Sequence, residues 1–398
     1  MKNIYAKSLV IFLLAFSLSG GASYAITTYL YSPESGGPVT PVATPPIGGG
    51  LNIDPSAPRT SECPINGAMY TTAEQKVWES RRPLFVMIEN SVDSRPQSGL
   101  NSADVLYEAV AEGGITRFGA VFYCGVAAQD TIVGPVRSAR THFINAASEY
   151  NYPLYTHVGG ANCGSSDPKA CTTDKRVQAL EQINQYGWGG AKGNDLNQFS
   201  IGFPTFWRDY ERLGRTVATE HTMYSSTEKL WKYATGRGWS NLDPSGKLEW
   251  SDDFVPFTFK DDDSDKGSVK TISFGFWENY KDFRVVWTYD SQKNLYTRQN
   301  GGVDHKDRNN DSTISAKVVV VQFTKEIGPL GDLKHMLYEL MGTGKGIVFQ
   351  DGQVIEATWS KKDREARTVW KDDKGKEIAF NRGKIVFHIL PSDNTVEY

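Results

Sequence analysis

The chain has 398 residues, with 43 Lys plus Arg against 46 Asp plus Glu, a formal net charge of −3. A hydrophobic share of 39%, with 10 Trp, 19 Tyr and 19 Phe, supplies more than one core and excludes wholesale disorder. A balance this close to neutral argues against a nucleic-acid binder, which needs a basic stripe, and it leaves open whether the chain is an enzyme.

Residues 1–31 read as an export element. Lys2 and Lys7 form a positive start, and the 24 residues from Ser8 to Tyr31 carry no charge. Ser23 and Ala25 are placed like the small residues of a signal-peptidase site. The uncharged span nevertheless exceeds the roughly 20 residues that cross a bilayer, so an uncleaved single-pass anchor is the preferred reading, with cleavage and secretion as the alternative. Both place the body on the extracytoplasmic side. Residues 32–62 contain the uncharged Pro/Gly/Thr stretch 35–50 and read as a linker. Four cysteines in an exported chain point to disulfides. Cys163 and Cys171 flank a short turn-rich loop and are expected to pair, leaving Cys63 with Cys124. No CxxC and no His at ligand spacing is present, so no metal site is expected.

From residue 81 the pattern is α/β. Leu84–Ile88 reads as a buried strand, and 104–111 with 117–124 as a hairpin across Gly113-Gly114. Residues 140–150 read as a helix with His142 on its surface. Pro153–Val158 reads as a strand, 173–186 as an amphipathic helix, and Ser225 with Glu228 as a capping box opening another. Beyond Gly236 the grammar is that of a β-meander, interrupted by a helix expected at 333–341. The fold expectation is an α/β (α+β) domain over 63–240 followed by a mostly β domain over 241–398.

Gly134-Pro135-Val136-Arg137-Ser138-Ala139-Arg140 delivers two arginines at an expected helix start. Guanidinium forks match phosphate or carboxylate oxygens, so Arg137, Ser138 and Arg140, with Arg117, are candidate anion ligands. The competing reading pairs these arginines internally with Glu89, Asp104, Glu108 or Glu112. His157, at a strand end before Gly159-Gly160, is a candidate ligand contact and, with His221, a candidate acid/base. The Ser-x-x-Lys matches at Ser166 and Ser226, the Ser392-Asp393-Asn394 string and the calcium-loop-like run from Asp307 all lack their companion residues and are read as chance. No cofactor motif stands out.

Taken together, Arg82-Pro83-Leu84 through Glu89-Asn90, Glu112 to Arg117, Gly134 to Arg140, His157 to Gly160, His221 to Ser225, and Trp287 to Asp290 followed by His305 resemble the YerB-like family of bacterial lipoproteins, a domain of unknown function. The resemblance implies an α/β N-terminal part and a β-rich C-terminal part, and it implies no reaction or substrate. The family's anchor is typically a lipidated cysteine after a Leu-Ser-Gly-like box. Here Leu18-Ser19-Gly20 is followed by Gly21, which favours the protein anchor. The leading expectation is a membrane-tethered envelope protein binding a phosphate- or carboxylate-bearing ligand, such as a glycan. An envelope-glycan hydrolase or transferase and a structural interaction module are the alternatives.

Overall fold

The computed structural model is described over residues 50–165, 167–190, 192–242 and 246–398. The anchor or signal segment 1–31 and linker residues 32–49 lie outside the described residues. Four helices and fourteen strands frame the site: α1 Thr72–Trp78, β1 Leu84–Glu89, β2 Val105–Glu112, β3 Ile115–Phe122, α2 Thr141–Ala147, β4 Leu154–His157, α3 Ala179–Gln185, β5 Asp195–Asn197, α4 Thr227–Gly236, β6 Thr271–Phe274, β7 Val285–Asp290, β8 Leu295–Asn300, β9 Val318–Thr324, β10 His335–Tyr338, β11 Gly342–Gln350, β12 Gln353–Lys361, β13 Val369–Lys371 and β14 Ile385–Pro391.

All six side chains of β1 are buried, as in a strand covered on both faces. The central sheet runs in the order β13-β12-β11-β9-β14-β2-β3-β1-β4-β5. Its inner strands draw on β-branched runs such as Val318–Val321, which suit a pleated, buried surface. β14, near the end of the chain, lies between β9 and β2 and is parallel to both, with Val318 opposite Ile385 and Ile385 opposite Val105. Strands from both sides of residue 240 therefore share one hydrogen-bonded sheet. A smaller antiparallel sheet of β6, β7 and β8 joins it through side chains: the Trp287 indole donates to His388 Nε2 at 3.0 Å. The fold is mixed α+β, rich in strands throughout and mostly β beyond residue 250.

Several local expectations change. Residues 335–338 form a strand rather than part of a helix, because their backbone pairs with Glu326–Leu330 and, at His335, with Glu112. α2 is buried at every position, including His142, since the sheet lies on one side and β10 on another. The helix expected from 173 starts only at Ala179, after a 3-10 turn at Lys175–Val177. α4 begins after Ser226, and its cap is Asp130 rather than a local box: Asp130 accepts from the Ser226 hydroxyl at 2.8 Å and the Glu228 N–H at 2.9 Å. The Cys63–Cys124 disulfide is formed. Cys163 and Cys171 are not bridged. Both are half-buried free thiols, Cys171 donating to the Thr173 carbonyl at 3.3 Å and accepting from Gln178 at 3.0 Å.

Candidate functional site

Past Val86 and Thr156, the last pair of their parallel ladder, β1 and β4 diverge, and residues 136–139 fill the gap. The Arg137 N–H donates to Met87 O at 2.9 Å, the Val158 N–H to Arg137 O at 3.1 Å, and the Ala139 N–H to Gly159 O at 2.9 Å. This strap carries Arg137, Ser138 and Arg140 to the same end of the sheet as Glu89, Glu112 and Arg117. The alternation of the strands does the rest. Glu89 lies opposite Arg117 in the β1–β3 ladder, so both project from one face.

Five of the six expected residues meet here. Glu112 binds two arginines at once, Arg117 Nη2 at 2.7 Å and Arg140 Nη2 at 2.7 Å. Arg117 is buried to 1% exposure and also donates to the Ser138 carbonyl at 3.0 Å. Arg137 meets Glu89 through Nε at 3.2 Å, and His221 Nδ1 reaches the other Glu89 oxygen at 2.8 Å. Burial pushes the Glu112 carboxyl up, but Arg117 and Arg140 pull it further down, to about 2. Burial brings the Arg117 guanidinium down to about 10 against the opposing pull of Glu112. The hydrogen bond to Glu89 raises His221 above the usual imidazole range.

The expected three-arginine clamp is therefore altered. Arg117 and Arg140 are internal partners of Glu112, whereas the Arg137 side chain keeps 26% exposure. His157 stands at the same sheet end but is fully buried, its ring nitrogens 2.6 Å from Gly159 O and from Asp195. No ring nitrogen of His157 is left open. Of the other acids weighed as partners, Asp104 accepts the Tyr123 and Gly125 N–H groups, and Glu108 binds Arg298 at 2.6 Å.

Sequence reasoning missed Asp195, His335 and the second polar cluster. His335 is 3% exposed, neither ring nitrogen has a hydrogen-bond partner among the described residues, and burial with Arg140 nearby brings it down to about 4. On the opposite face of the central sheet, Glu108 meets Arg298, His388 and Thr116, and Asn90 bonds Glu108, Thr116, Gln97 and Arg95. The Glu112–Arg117 pair had a readable signal, since a Gly-Gly hairpin folds such neighbours back on each other. The charged partners of Glu108, Arg298 and His388, lie 190 and 280 residues further along the chain and had none.

Comparison with known proteins agrees with this architecture. Residues 70–240 match the "Protein of unknown function (DUF3048) N-terminal domain" and residues 272–386 its C-terminal domain. The Bacillus subtilis (strain 168) protein named "Putative lipoprotein YerB" is 29% identical over 342 residues, covering 85% of this chain and 88% of that one. The crystal structure of the YerB protein from Bacillus subtilis is similar with a TM-score of 0.65 at 26% identity, covering 85% of this chain and 100% of that chain. Matched in both halves and in order over well more than half its length, the chain belongs to the DUF3048 family.

Proposed function

We propose that this protein is a membrane-associated extracytoplasmic envelope protein that recognises a carboxylate or phosphate group at Arg137. The location draws on the charge pattern of residues 1–31, on the lipoprotein name of the Bacillus subtilis relative, and on the Cys63–Cys124 bridge, a bond typical of oxidising compartments. The observation that carries the recognition reading is the state of Arg137. Its guanidinium is bonded only through Nε among the described residues, and it stands in a cluster where three arginines and His221 face the two carboxylates of Glu89 and Glu112. The positive excess is concentrated on the one arginine that reaches solvent. An anion there receives both terminal N–H groups, each charge-assisted bond contributing about 1.5–3 kcal/mol.

The test is equilibrium binding of phosphorylated and carboxylated glycans to the full-length chain. Arg137→Ala is expected to weaken binding at least about tenfold and to lower the melting temperature only modestly, because the Arg137 side chain is partly exposed and His221 still pairs with the buried Glu89. Arg117→Ala is expected to lower the melting temperature instead. Equal binding by the Arg137→Ala variant sinks the reading.

A further inference from the structure

A large open cavity among the described residues lies away from the arginine cluster, in the β-rich half. It holds about 920 Å³ and is bounded by the loop 273–284, Glu326 and the tail 391–397. That volume falls in the range of small-ligand sites. Its walls are tied in place. The Asn394 amide donates to the carbonyls of Gly275 at 2.9 Å and Phe276 at 3.1 Å, and Ser273 and Glu397 exchange backbone hydrogen bonds at 2.8 and 2.9 Å. Arg95, from the other half of the chain, donates to the Asp282 carbonyl at 2.8 Å.

Two aromatic rings form a corner in this cleft. Trp277 and Tyr280 lie 5.3 Å apart at 77°. Tyr280 rests on the β2–β3 turn so closely that a Cβ on Gly114 would fall 2.4 Å from its ring. Beside them, Glu326 accepts the Trp277 indole N–H on both oxygens, at 3.1 and 3.0 Å, and the Tyr338 hydroxyl. Those donors are neutral, so they orient the carboxylate without cancelling its charge. Among the described residues Glu326 has no ion pair. The rest of the lining does not supply one either. Arg284 is held by Glu397 at 2.7 Å, and Lys281 shares the lining with two further carboxylates, Glu278 and Asp393.

A preorganised carboxylate beside two aromatic rings that line the same cleft is an arrangement that attracts an organic cation. The cation's shape follows from the same contacts. Guanidinium prefers to fork across both oxygens of a carboxylate, and here the indole already occupies both. An ammonium is a point charge that needs only one open lone-pair direction, and its alkyl stem can lie along the rings. We propose that the cleft binds the alkylammonium group of a lysine-type side chain, with Glu326 as counter-ion and Trp277 and Tyr280 as walls.

Calorimetric titration of the full-length chain with N-acetyl-trilysine amide tests this directly. Binding is expected, weakening as salt rises, and it should vanish when the three side-chain amines are acetylated. Glu326→Gln keeps an acceptor for the indole and removes the charge, and it should lose at least about tenfold in affinity. Tyr280→Ala, at a partly exposed ring, should lose several-fold without unfolding the protein. Arg137→Ala should leave peptide binding unchanged, which separates this cleft from the anion site. Equal binding of the acetylated peptide overturns the proposal. So does undiminished affinity in both the Glu326 and Tyr280 variants, or binding of glucosamine oligomers with none of the peptide.

Discussion

Glu112 shows how one side chain decides whether an arginine recognises a ligand or holds the fold together. Its carboxylate faces Arg117 and Arg140, both largely buried, and its own side chain is 23% exposed. Removing one member of a buried ion pair typically costs about 3–5 kcal/mol. The partial exposure of Glu112 puts Glu112→Gln at the lower end, about 3 kcal/mol, measurable by urea unfolding. The pH dependence has a definite sign. The folded carboxyl titrates at about 2, below its unfolded value near 4.3. Its contribution is complete above about pH 4.3 and disappears as the pH falls toward 2. Glu89 is also lowered: burial raises it, but the His221 hydrogen bond and Arg137 outweigh burial. His221 works oppositely, because its raised value gives stability below about pH 6.5 that is lost as the pH rises through the folded value. Unfolding midpoints across the pH range should fall on the acid side, and Glu112→Gln should flatten that limb.

At the scale of elements, hairpins and straps matter more than helices. The β2–β3 hairpin places Glu112 and Arg117 on one face while Glu108 and Thr116 serve the other: regular alternation separates Thr116 from Arg117, and the register shift between Val110 and Glu112 turns Glu112 to the face opposite Glu108. Strand spacing and the Gly-Gly turn made this hairpin legible in the sequence. The 335–338 strand was not legible. A short apolar run fits helix and strand equally well, and only the neighbouring edges at Glu326–Leu330 and Glu112 decide it. The same holds for the α4 cap, where the local Ser226 and Glu228 are served by Asp130, 96 residues from Ser226. The Cys63–Cys124 bridge ties the segment ahead of α1 to the end of β3 across 61 residues. Loop-closure entropy for that length amounts to about 4 kcal/mol. Reduction, or Cys124→Ser, should lower unfolding stability by a few kcal/mol in matched urea melts. A change under about 1 kcal/mol would mean that the bridge adds little constraint.

Across the whole molecule, the two sequence modules are joined by hydrogen bonds as well as by a linker. β14 supplies the neighbour on the outer side of β2, and Arg298 supplies the cation for the fully buried Glu108. Opposing causes act on Glu108: burial raises its carboxyl, while Arg298 and His388 bring it below the usual range. A chain ending at residue 240 would leave β2 as a long, apolar, unpaired edge with a buried acid stripped of its partner. Such edges aggregate. That truncation is expected to be insoluble, whereas the full chain should unfold in a single calorimetric transition. A soluble, folded 63–240 fragment would show that the shared sheet is dispensable.

The sequence alone carried whatever is written in local pattern: the charge arrangement of residues 1–31, the strand-rich α+β character, the Gly-Gly hairpin, and the strings that mark the family. Hydrophobic period and turn chemistry act over a few residues, so they survive in one dimension. Tertiary structure alone decided which arginine stays open, where His142 and His335 lie, and that Glu326 stands beside Trp277 and Tyr280. Ion pairing and burial depend on partners brought from distant parts of the chain, and no local pattern records who those partners are.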